Sequence, residues 1–519
     1  MNVAELLLTR GDDSAPAVWF RNKIVPHGEL RRQVNSLAWA LLGRGYKKGD
    51  RVGILSENCP FFVVSYLATM RAGMVAVPFP TELSEENFQK IAGHARLKNV
   101  FVSDRFFPRV VPWGRKMGLR AMSESQVQAL SKGDAGCFPE VDARHDLAAL
   151  MFTSGSTGKP KGVMITHRNI ECNSRDILSY MDLKSDDRAM VVLPFHYCFG
   201  ASLLHTLLMA GGSVVLNNDF HLYPETMLQE MQRTECTGLA GVPSTYQILL
   251  RKSRFRKMSF PRLRWFQQAG GKLPNVFIDE LRGAFPQTRF FTMYGQTEAC
   301  ARLSYLPPEQ LPKRLGSIGK GLPSTRLEVL KVDGKQVPAG SDEVGEIVAS
   351  GDNIAPGYWE DPEETAKYFR GGKLYTGDLA RVDSGGFIFI VDREREIIKS
   401  GGNRVSAKEI EDVIAELAEV VEVAAVGVAH EILGEAIYVF VVSLSEARVS
   451  PEMVKAHCRR RLSSFKIPQE VVFLRAMPHN GAGKIIRRAL REMIGNRSPV
   501  TTDCPDSKGD PVTVHTLAT

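Results

Sequence analysis

The stretch RVGILSENCPFFVVSYLATMRAGMVAVPFP, residues 51–80, decides the fold. A short apolar run (RVGILSEN) is followed by a longer helical pattern (PFFVVSYLATMRAG) and then by a second short apolar run (MVAVPFP). Strand, helix and strand at this spacing predict parallel sheets covered by helices. The pattern recurs where SVVLNND precedes PETMLQEMQRTE. We therefore predict an α/β fold whose ligands collect at the carboxyl ends of the strands.

The pattern of predicted secondary structure changes twice after this region. Past residue 320, segments such as STRLEVLKVDG and GGFIFIVDR predict a β-rich subdomain with Gly and Asp turns. From residue 393, helices and strands alternate over roughly a hundred residues, which predicts a small α+β domain. The predicted units are a large N-terminal domain (1–392), a small C-terminal domain (393–495) and a polar, aperiodic tail (496–519) that we expect to be disordered.

Composition sets further limits. A chain of 519 residues with 44% hydrophobic and 24% charged residues is typical of a soluble protein of more than one domain. We find no run of about 18 uncharged apolar residues, and the N-terminus lacks the features of a secretory signal, so no membrane span is expected. The eight cysteines are scattered without zinc-like spacing, which favours a reducing cytoplasm.

A glycine-containing segment, TSGSTGKPKG (residues 153–162), has the composition of a phosphate-binding loop. It is not a P-loop, because only two residues separate Gly155 from Gly158 and a proline replaces the metal-binding hydroxyl. Its glycines, hydroxyls and lysines nevertheless suit a polyphosphate. The alternative is a polar turn between the strand LAALMFT and the segment VMITHRNI.

Four further motifs follow in order. In MYGQTEA (residues 293–299), a ring is available to stack on a base and Glu298 to hold Mg²⁺. In YTGDLA (residues 375–380), Asp378 follows a glycine turn and could accept both hydroxyls of a ribose. VDREREIIKSGGNRVSAKEIE (residues 391–411) lies at the predicted domain boundary, and NGAGKIIRR presents Lys484 on a glycine-containing loop.

Together these motifs resemble the adenylate-forming superfamily of acyl-CoA synthetases, firefly-type luciferases and peptide-synthetase adenylation domains. The resemblance extends from the SENCPFF region to Arg488. It implies that a carboxylic acid reacts with ATP, in the presence of Mg²⁺, to give an acyl-adenylate and pyrophosphate. Thioester formation then follows with coenzyme A, the small domain acting as a mobile lid.

The resemblance also implies roles for individual residues. The catalytic residues would be Lys484, Thr297 and His196, with Glu298 as the metal ligand. The ATP or AMP contacts would come from Thr153, Ser154, Gly155, Ser156, Thr157, Gly158, Lys159, Lys161, Gly271, Tyr294, Gly295, Asp378 and Arg393. The hinge would be Arg395, where the family usually has Asp or Lys, and the path of the thiol would be lined by Lys399 and Gly402. An exposed lysine at a strand end is the alternative for Lys399.

The acid is indicated by the position after the phenylalanine of VLPFHYCFG. Members that activate amino acids usually carry an Asp there as a counter-charge to the ammonium, whereas this chain has His196. We therefore expect a fatty or aryl acid, with His196 at the mouth of the acyl pocket. Small residues would leave room for an apolar acyl group; the predicted pocket residues are Cys198, Gly270, Lys272 and Ala299. Lys272 departs from the usual Ala or Glu. We expect its ammonium either to pair with a polar substituent or a neighbouring carboxylate, or to extend to the surface.

The sequence leaves the thiol acceptor open. CoA is the first expectation, because the basic residues 459–461 and 251–264 would suit its phosphates. A phosphopantetheine carrier protein is the alternative, since its acidic helix would meet a similar basic face. A third hypothesis adds contact between residues 251–265 and an anionic membrane, through basic residues interleaved with Phe255, Phe260 and Trp265. No nucleic acid partner is expected, and the oligomeric state stays open.

Overall fold

The computed structural model of the chain describes residues 1–130, 136–154, 160–393, 396–444, 448–481 and 483–495. The predicted tail therefore lies outside the described residues, as do the loop positions 155–159 and the predicted hinge Arg395. The strands of the two main sheets are, in chain order, β1 (Pro16–Phe20), β2 (Lys23–Pro26), β3 (Arg51–Leu55), β4 (Val75–Pro78), β5 (Asn99–Val102), β6 (Arg120–Ser123), β7 (Leu147–Ser154), β8 (Pro160–Thr166), β9 (Arg188–Val191), β10 (Ser213–Leu216), β11 (Gly238–Gly241), β12 (Trp265–Gln268), β13 (Arg289–Tyr294) and β14 (Ser304–Leu306).

The predicted parallel sheets are confirmed. One sheet orders its strands β6-β5-β3-β4-β7-β8, and the other β14-β13-β12-β11-β9-β10-β1-β2. Pairing is parallel throughout their centres, while β8, β14 and β2 add antiparallel edges. Strands β4, β9, β10, β11 and β12 are almost wholly buried, as expected for parallel strands with helices on both faces.

Helices cover these sheets. They are α1 (Val3–Leu8), α2 (His27–Leu42), α3 (Pro60–Arg71), α4 (Glu85–His94), α5 (Phe107–Lys116), α6 (Glu124–Leu130), α7 (His167–Met181), α8 (Cys198–Ala210), α9 (Pro224–Arg233), α10 (Pro243–Lys252) and α11 (Asn275–Ala284). Helix α3 packs on β3 and β4, α8 packs on β9 and β10, and α1 contacts both helices. Because α3 and α8 are apolar and buried along most of their length, they join the two sheets into one hydrophobic core.

The β-rich subdomain follows as predicted. It contains β15 (Gly321–Leu322), β16 (Thr325–Leu330), β17 (Gly345–Gly351), helix α12 (Pro362–Tyr368), β18 (Phe369–Arg370), β19 (Lys373–Val382) and β20 (Ile388–Arg393). Its strands pair antiparallel in the order β15-β16-β17-β19-β18, with β20 also on β19. The register sets Asp378 opposite the backbone of Arg393.

A separate sheet begins after this subdomain. Its elements are β21 (Ile398–Ser400), β22 (Asn403–Val405), α13 (Ala407–Ala415), β23 (Val420–His430), β24 (Gly434–Ser443), α14 (Pro451–Arg461), β25 (Glu470–Phe473) and α15 (Arg487–Gly495). The strand order is β22-β21-β24-β23, and β25 joins β24 in parallel. The closing helix starts at Arg487, so Lys484 lies in the preceding loop, where Ile485 pairs with His479. Within the described residues, no helix combines the length and the apolar character that a membrane span requires.

Candidate functional site

A cavity of about 320 Å³ opens at the carboxyl ends of the parallel strands of the larger sheet. The segments that follow β9, β11, β12 and β13 form much of its wall, as the Rossmann-type rule for open α/β sheets predicts. The β7–β8 hairpin, the β-rich subdomain and the loop that carries Lys484 complete it. Several predicted site residues meet here: Thr153, Lys161, His196, Cys198, Gly270, Gly295, Thr297, Glu298 and Lys484.

The β7–β8 hairpin brings the glycine-containing segment to this cavity. Thr153 and Lys161 are register partners at the end of the hairpin, and both line the cavity. The Lys161 ammonium forms an ion pair with Glu364 and lies 5.1 Å from the centre of the Tyr368 ring. Positions 155–159 lie outside the described residues, as does the Ser154 side chain, but the hairpin ends fix where the segment leaves and rejoins the wall.

Glu298, predicted from the sequence as the metal ligand, lies in the wall of the first cavity. Its carboxylate lines the cavity, and its Oε1 accepts a 2.8 Å hydrogen bond from the Tyr358 hydroxyl. Burial and this carboxylate raise the pKa of Tyr358, so the phenol stays a donor. The described residues contain no cluster of three or more metal-ligating side chains. A single carboxylate fits Mg²⁺ that takes its other ligands from substrate phosphates and water.

Lys484 lies at the junction of two cavities. It lines both the first cavity and a second of about 250 Å³. Its loop is held by the Ser244 hydroxyl, which donates to the Gly483 carbonyl at 2.8 Å, and by the Asn480 Oδ1, which accepts from the Lys484 amide at 3.0 Å. A Cβ at position 270 would lie 3.1 Å from Lys484 Cε, so glycine at that position leaves space for the lysine stem.

The second cavity has the groups expected for a nucleoside. Its walls include Gly271, Tyr294 and Asp378, and the Tyr294 hydroxyl donates to Asp378 Oδ2 at 2.6 Å. The Tyr294 side chain is therefore tied to the carboxylate predicted to bind the ribose. Asp378, the carboxylate that follows the glycine turn in the sequence, is almost fully buried in the wall of this cavity. The Arg393 side chain lies outside the described residues.

His196 and Cys198, which the sequence predicts at the acyl pocket, line the first cavity. His196 is 6% exposed, and burial lowers its pKa to about 3, so the imidazole is neutral near pH 7. Its Nε2 makes no hydrogen bond within the described part of the chain. Cys198 Sγ lies 3.4 Å from Thr297 Oγ1, and burial raises the pKa of this thiol. These residues form a neutral wall next to Thr297.

Arg302 also lines this cavity, and the sequence analysis missed it. The side chain is 1% exposed, and its guanidinium lies 4.2 Å from the centre of the Phe199 ring. Its Nη2 donates to Gln267 Oε1 at 3.0 Å and its Nε to Met293 Sδ at 3.2 Å. The available signal was one basic residue in the run ACARLSY directly after the YGQTE motif.

Two predicted acyl-pocket residues lie elsewhere. Ala299 is fully buried in the core of the β-rich subdomain and lines neither cavity. Lys272 lines the second cavity, and its ammonium pairs with Asp412 of helix α13 at 2.5 Å. Lys272 therefore contacts a carboxylate, which is one of the alternatives that the sequence left open. This contact links the large domain to the small domain.

Lys399 and Gly402 are not brought to either cavity. They belong to the β21–β22 hairpin of the small domain, where the Lys399 amide donates to Glu435 Oε2 at 2.6 Å. Neither residue is among those that line the two cavities. In this structure Lys484 therefore lines the two cavities, whereas the predicted thiol-path residues Lys399 and Gly402 do not.

The basic segment 251–265 lacks the exposed aromatic groups that membrane insertion requires. Phe255 and Trp265 are fully buried, and Phe260 packs against Phe255 at a centroid distance of 5.5 Å. Arg251 forms a bidentate pair with Glu280. Two of the three aromatic side chains invoked for membrane contact are therefore in the core, and the third, Phe260, is half-buried against it.

Comparisons with known proteins agree with this geometry. Residues 9–359 match the family model described as AMP-binding enzyme, and residues 409–484 match the model of the AMP-binding enzyme C-terminal domain. A feruloyl-CoA synthase from an Amycolatopsis species is 31% identical over 93% of this chain and 96% of its own length. A long-chain-fatty-acid–CoA ligase from Yersinia pestis is 31% identical over 88% of this chain and 87% of its own.

Solved structures of related enzymes are also similar to this chain over most of its length. ATP-bound MatB from Rhodopseudomonas palustris matches with a TM-score of 0.86 at 29% identity, over 95% of this chain and 99% of its own. The o-succinylbenzoate CoA synthetase from Bacillus subtilis, in complex with its acyl-adenylate intermediate, matches with a TM-score of 0.82 at 26% identity, over 94% and 98%. Both similarities extend over the large and small domains together.

Proposed function

We propose the substrates of this enzyme from one premise: the chain belongs to the AMP-binding enzyme family and is an ATP-dependent, AMP-forming acid–thiol ligase. Its acid is a compact carboxylic acid without an α-amino group, and its acceptor is coenzyme A. The reaction gives an acyl-adenylate and pyrophosphate, and then an acyl-CoA and AMP.

One observation supports the absence of an α-amino group. Among the described residues that line the first cavity, Glu298 is the only carboxylate, and it accepts a hydrogen bond from Tyr358. His196, at the position where amino-acid-activating relatives carry Asp, is neutral. An ammonium buried at the acyl end would therefore lack a counter-charge, which is strongly unfavourable.

The volume of the cavity favours a compact acid. About 320 Å³ is near the lower end of the range for small-molecule sites. Part of that volume adjoins Thr153 and Lys161, where the phosphates of ATP are expected to lie. The remainder suits an aryl acid or a short acyl chain better than a long one, so the fatty acid option narrows to short chains.

The first half-reaction uses the junction between the cavities. The acid carboxylate attacks the α-phosphorus of ATP, and negative charge increases on the phosphoryl oxygens as pyrophosphate leaves. We assign the stabilisation of that charge to the Lys484 ammonium and the Thr297 hydroxyl, because both residues line the first cavity. Mg²⁺ held by Glu298 would neutralise phosphate charge. Asp378 would hold the ribose, and Tyr294 would orient that carboxylate through its hydroxyl.

The second half-reaction requires a different arrangement of the small domain. Lys399 and Gly402 lie outside both cavities while Lys484 occupies the site. We propose that rotation near Arg395 exchanges them, so that the hairpin carrying Lys399 then lines the path of the thiol. CoA is the proposed acceptor because the exposed residues Arg459 to Arg461 at the end of α14 offer charge for its phosphates. A carrier protein is the alternative acceptor.

A product assay tests this function. The full chain is incubated with ATP, Mg²⁺, CoA and a pool of short-chain, long-chain and aryl acids, and products are identified by mass spectrometry. Acyl-CoA from a compact acid supports the proposal. An acyl-adenylate that accumulates without acyl-CoA favours a carrier protein, and exclusive use of long-chain acids refutes the compact-acid argument.

Two substitutions test the assigned half-reactions. Lys484→Ala is expected to slow pyrophosphate release by about 100-fold or more, the usual scale for losing one group that stabilises transition-state charge. Lys399→Ala is expected to retain pyrophosphate release and to slow thioester formation. Lys466→Ala is the matched control, because that lysine pairs with Glu409 inside the small domain. Unchanged pyrophosphate release by Lys484→Ala contradicts its role.

The free thiols of the described cysteines support a location in a reducing compartment such as the cytoplasm. Fractionation of cells that produce the chain with an epitope tag tests this: recovery in a membrane or secreted fraction would contradict it.

A further inference from the structure

Arg302 contributes an unbalanced positive charge to the acyl end of the site. The side chain is 1% exposed, and its Nη1 makes no hydrogen bond with any described residue. The acceptors of its hydrogen bonds, Gln267 Oε1 and Met293 Sδ, are both neutral. Buried guanidinium groups are normally paired with an acid, so this arrangement requires an explanation.

The surrounding ionisable groups do not supply the missing negative charge. Burial lowers the pKa of Arg302 below its usual value, and the neighbouring Tyr180 phenol and Cys198 thiol oppose that change. Burial raises the pKa of both groups, so both stay protonated and neutral near pH 7. Glu298, which lines the same cavity, is engaged with Tyr358. The described part of the chain thus leaves the guanidinium without an ionised partner.

The backbone holds Arg302 in this position against a conformational cost. Cys300 and Ala301, the two residues before it, have φ angles of 50° and 97°, in the region that non-glycine residues rarely adopt. Strained residues of this kind persist only where their surroundings fix them, and they are concentrated at functional sites. The Arg302 carbonyl accepts from the Asn173 and Asn353 side-chain amides at 2.9 and 2.8 Å, which fixes the end of this segment.

We propose that Arg302 determines substrate specificity by pairing with a second carboxylate at the far end of the acid, so that the enzyme's substrate is a compact dicarboxylic acid. This inference rests on the proposed function and names its substrate class. One carboxylate is activated beside Lys484, and the other meets the guanidinium at the wall formed with Phe199. The second carboxylate supplies the negative charge that the protein lacks. The Phe199 ring packs against the face of the Arg302 guanidinium.

Matched pairs of acids test the proposal with the full wild-type chain: succinic against butyric acid, adipic against hexanoic acid, and terephthalic against benzoic acid. In at least one pair we expect kcat/KM, measured by AMP formation, to be about 100-fold higher for the diacid. That scale follows from the cost of removing one partner of a buried charge pair. Preference for the monocarboxylic acid in every pair overturns the inference.

Substitution of Arg302 provides the second test. In Arg302→Met we expect the diacid to lose about 100-fold in kcat/KM, mainly through KM, while the matched monoacid is used as well as before or better. Arg302→Lys should restore part of the diacid preference. Equal losses for both acids would indicate a structural role and overturn the inference; if Arg302→Met does not fold, the wild-type pairs and Arg302→Lys decide.

Arg188→Met is the matched control. The Arg188 guanidinium also lies over an aromatic ring, 4.4 Å from the centre of Trp19, and burial lowers its pKa, but it lines neither cavity. Its replacement is expected to leave the ratio of diacid to monoacid use unchanged. Failure of every acid to yield acyl-adenylate or acyl-CoA rejects the proposed function itself, whereas activation of monoacids alone rejects only the role of Arg302.

Discussion

The ion pair between Lys272 and Asp412 is predicted to set how long the small domain stays in the arrangement that places Lys484 in the site. The two side chains are 30% and 28% exposed, and their charged atoms are 2.5 Å apart. Burial raises the pKa of Asp412, and the Lys272 ammonium opposes that change. A partly exposed pair of this kind contributes about 1 kcal/mol, or roughly a fivefold change in a two-state ratio.

Lys272→Met is therefore expected to slow pyrophosphate release by up to about fivefold, because fewer molecules hold Lys484 at the junction. Thioester formation from acyl-adenylate formed beforehand should stay unchanged or become faster, since leaving this arrangement becomes easier. The two steps are measured separately by rapid mixing, first with ATP and acid and then with CoA. Asp412→Asn should have the same effect, and the double variant should add little, because both remove one interaction.

The matched control removes an ion pair that does not cross between domains. Lys466 and Glu409 are 2.7 Å apart and both belong to the small domain. Lys466→Met should alter neither step. Equal slowing of both steps by Lys272→Met, or a further large loss in the double variant, would refute the reasoning that this pair acts on the domain arrangement.

Three further predictions concern the site and the core. Gly295→Ala should reduce activity and lower the unfolding midpoint, because a Cβ there would lie 2.0 Å from a backbone carbonyl oxygen; Gly283→Ala, which meets no atom within 4 Å, is the control. Glu298→Gln should raise the Mg²⁺ concentration needed for half-maximal pyrophosphate release, and an unchanged requirement would contradict its role as a ligand. Burial lowers the pKa of His196 and His205 from 6.5 to about 3. The unfolded chain therefore binds more protons than the folded chain below pH 6.5, and the stability of the fold decreases as the pH falls. The thermal unfolding midpoint should be lower at pH 5 than at pH 7, and His205→Phe should reduce the difference between the two midpoints.

The fold was predictable because its determinants are local and periodic. Strand, helix and strand in residues 51–80 each bury a continuous apolar run, and parallel pairing follows from the crossover helix. The antiparallel edges β2, β8 and β14 were harder to predict, since an edge strand has one neighbour and a weaker apolar signal. The start of α15 could not be read from the sequence either, because Lys484 and Ile485 continue its helical pattern but belong to a loop that contacts the other domain.

The site was predictable where a motif fixes a side chain relative to its own strand. Thr297, Glu298 and Asp378 line the cavities as expected, since each follows a strand end or a glycine turn. The placement of a side chain was not predictable where it depends on packing between elements. Ala299 is one residue beyond Glu298, yet it turns into the subdomain core, and Lys272 finds its partner on a helix 140 positions away.

Arg302 adds a second charge criterion to the one drawn from His196. The absence of an aspartate at that position predicted an acid without an α-amino group, and the small residues nearby predicted room for an apolar acyl group; under our proposal that acyl group also ends in a carboxylate beside Arg302. Its described walls carry three cations, Lys161, Arg302 and Lys484, against one carboxylate, Glu298. Since Lys161 is already paired with an acid outside the cavity, the charge at the acyl end comes from Arg302. That charge repels an ammonium and attracts an anion, so one buried guanidinium accounts for rejection of amino acids and for selection of a second carboxylate.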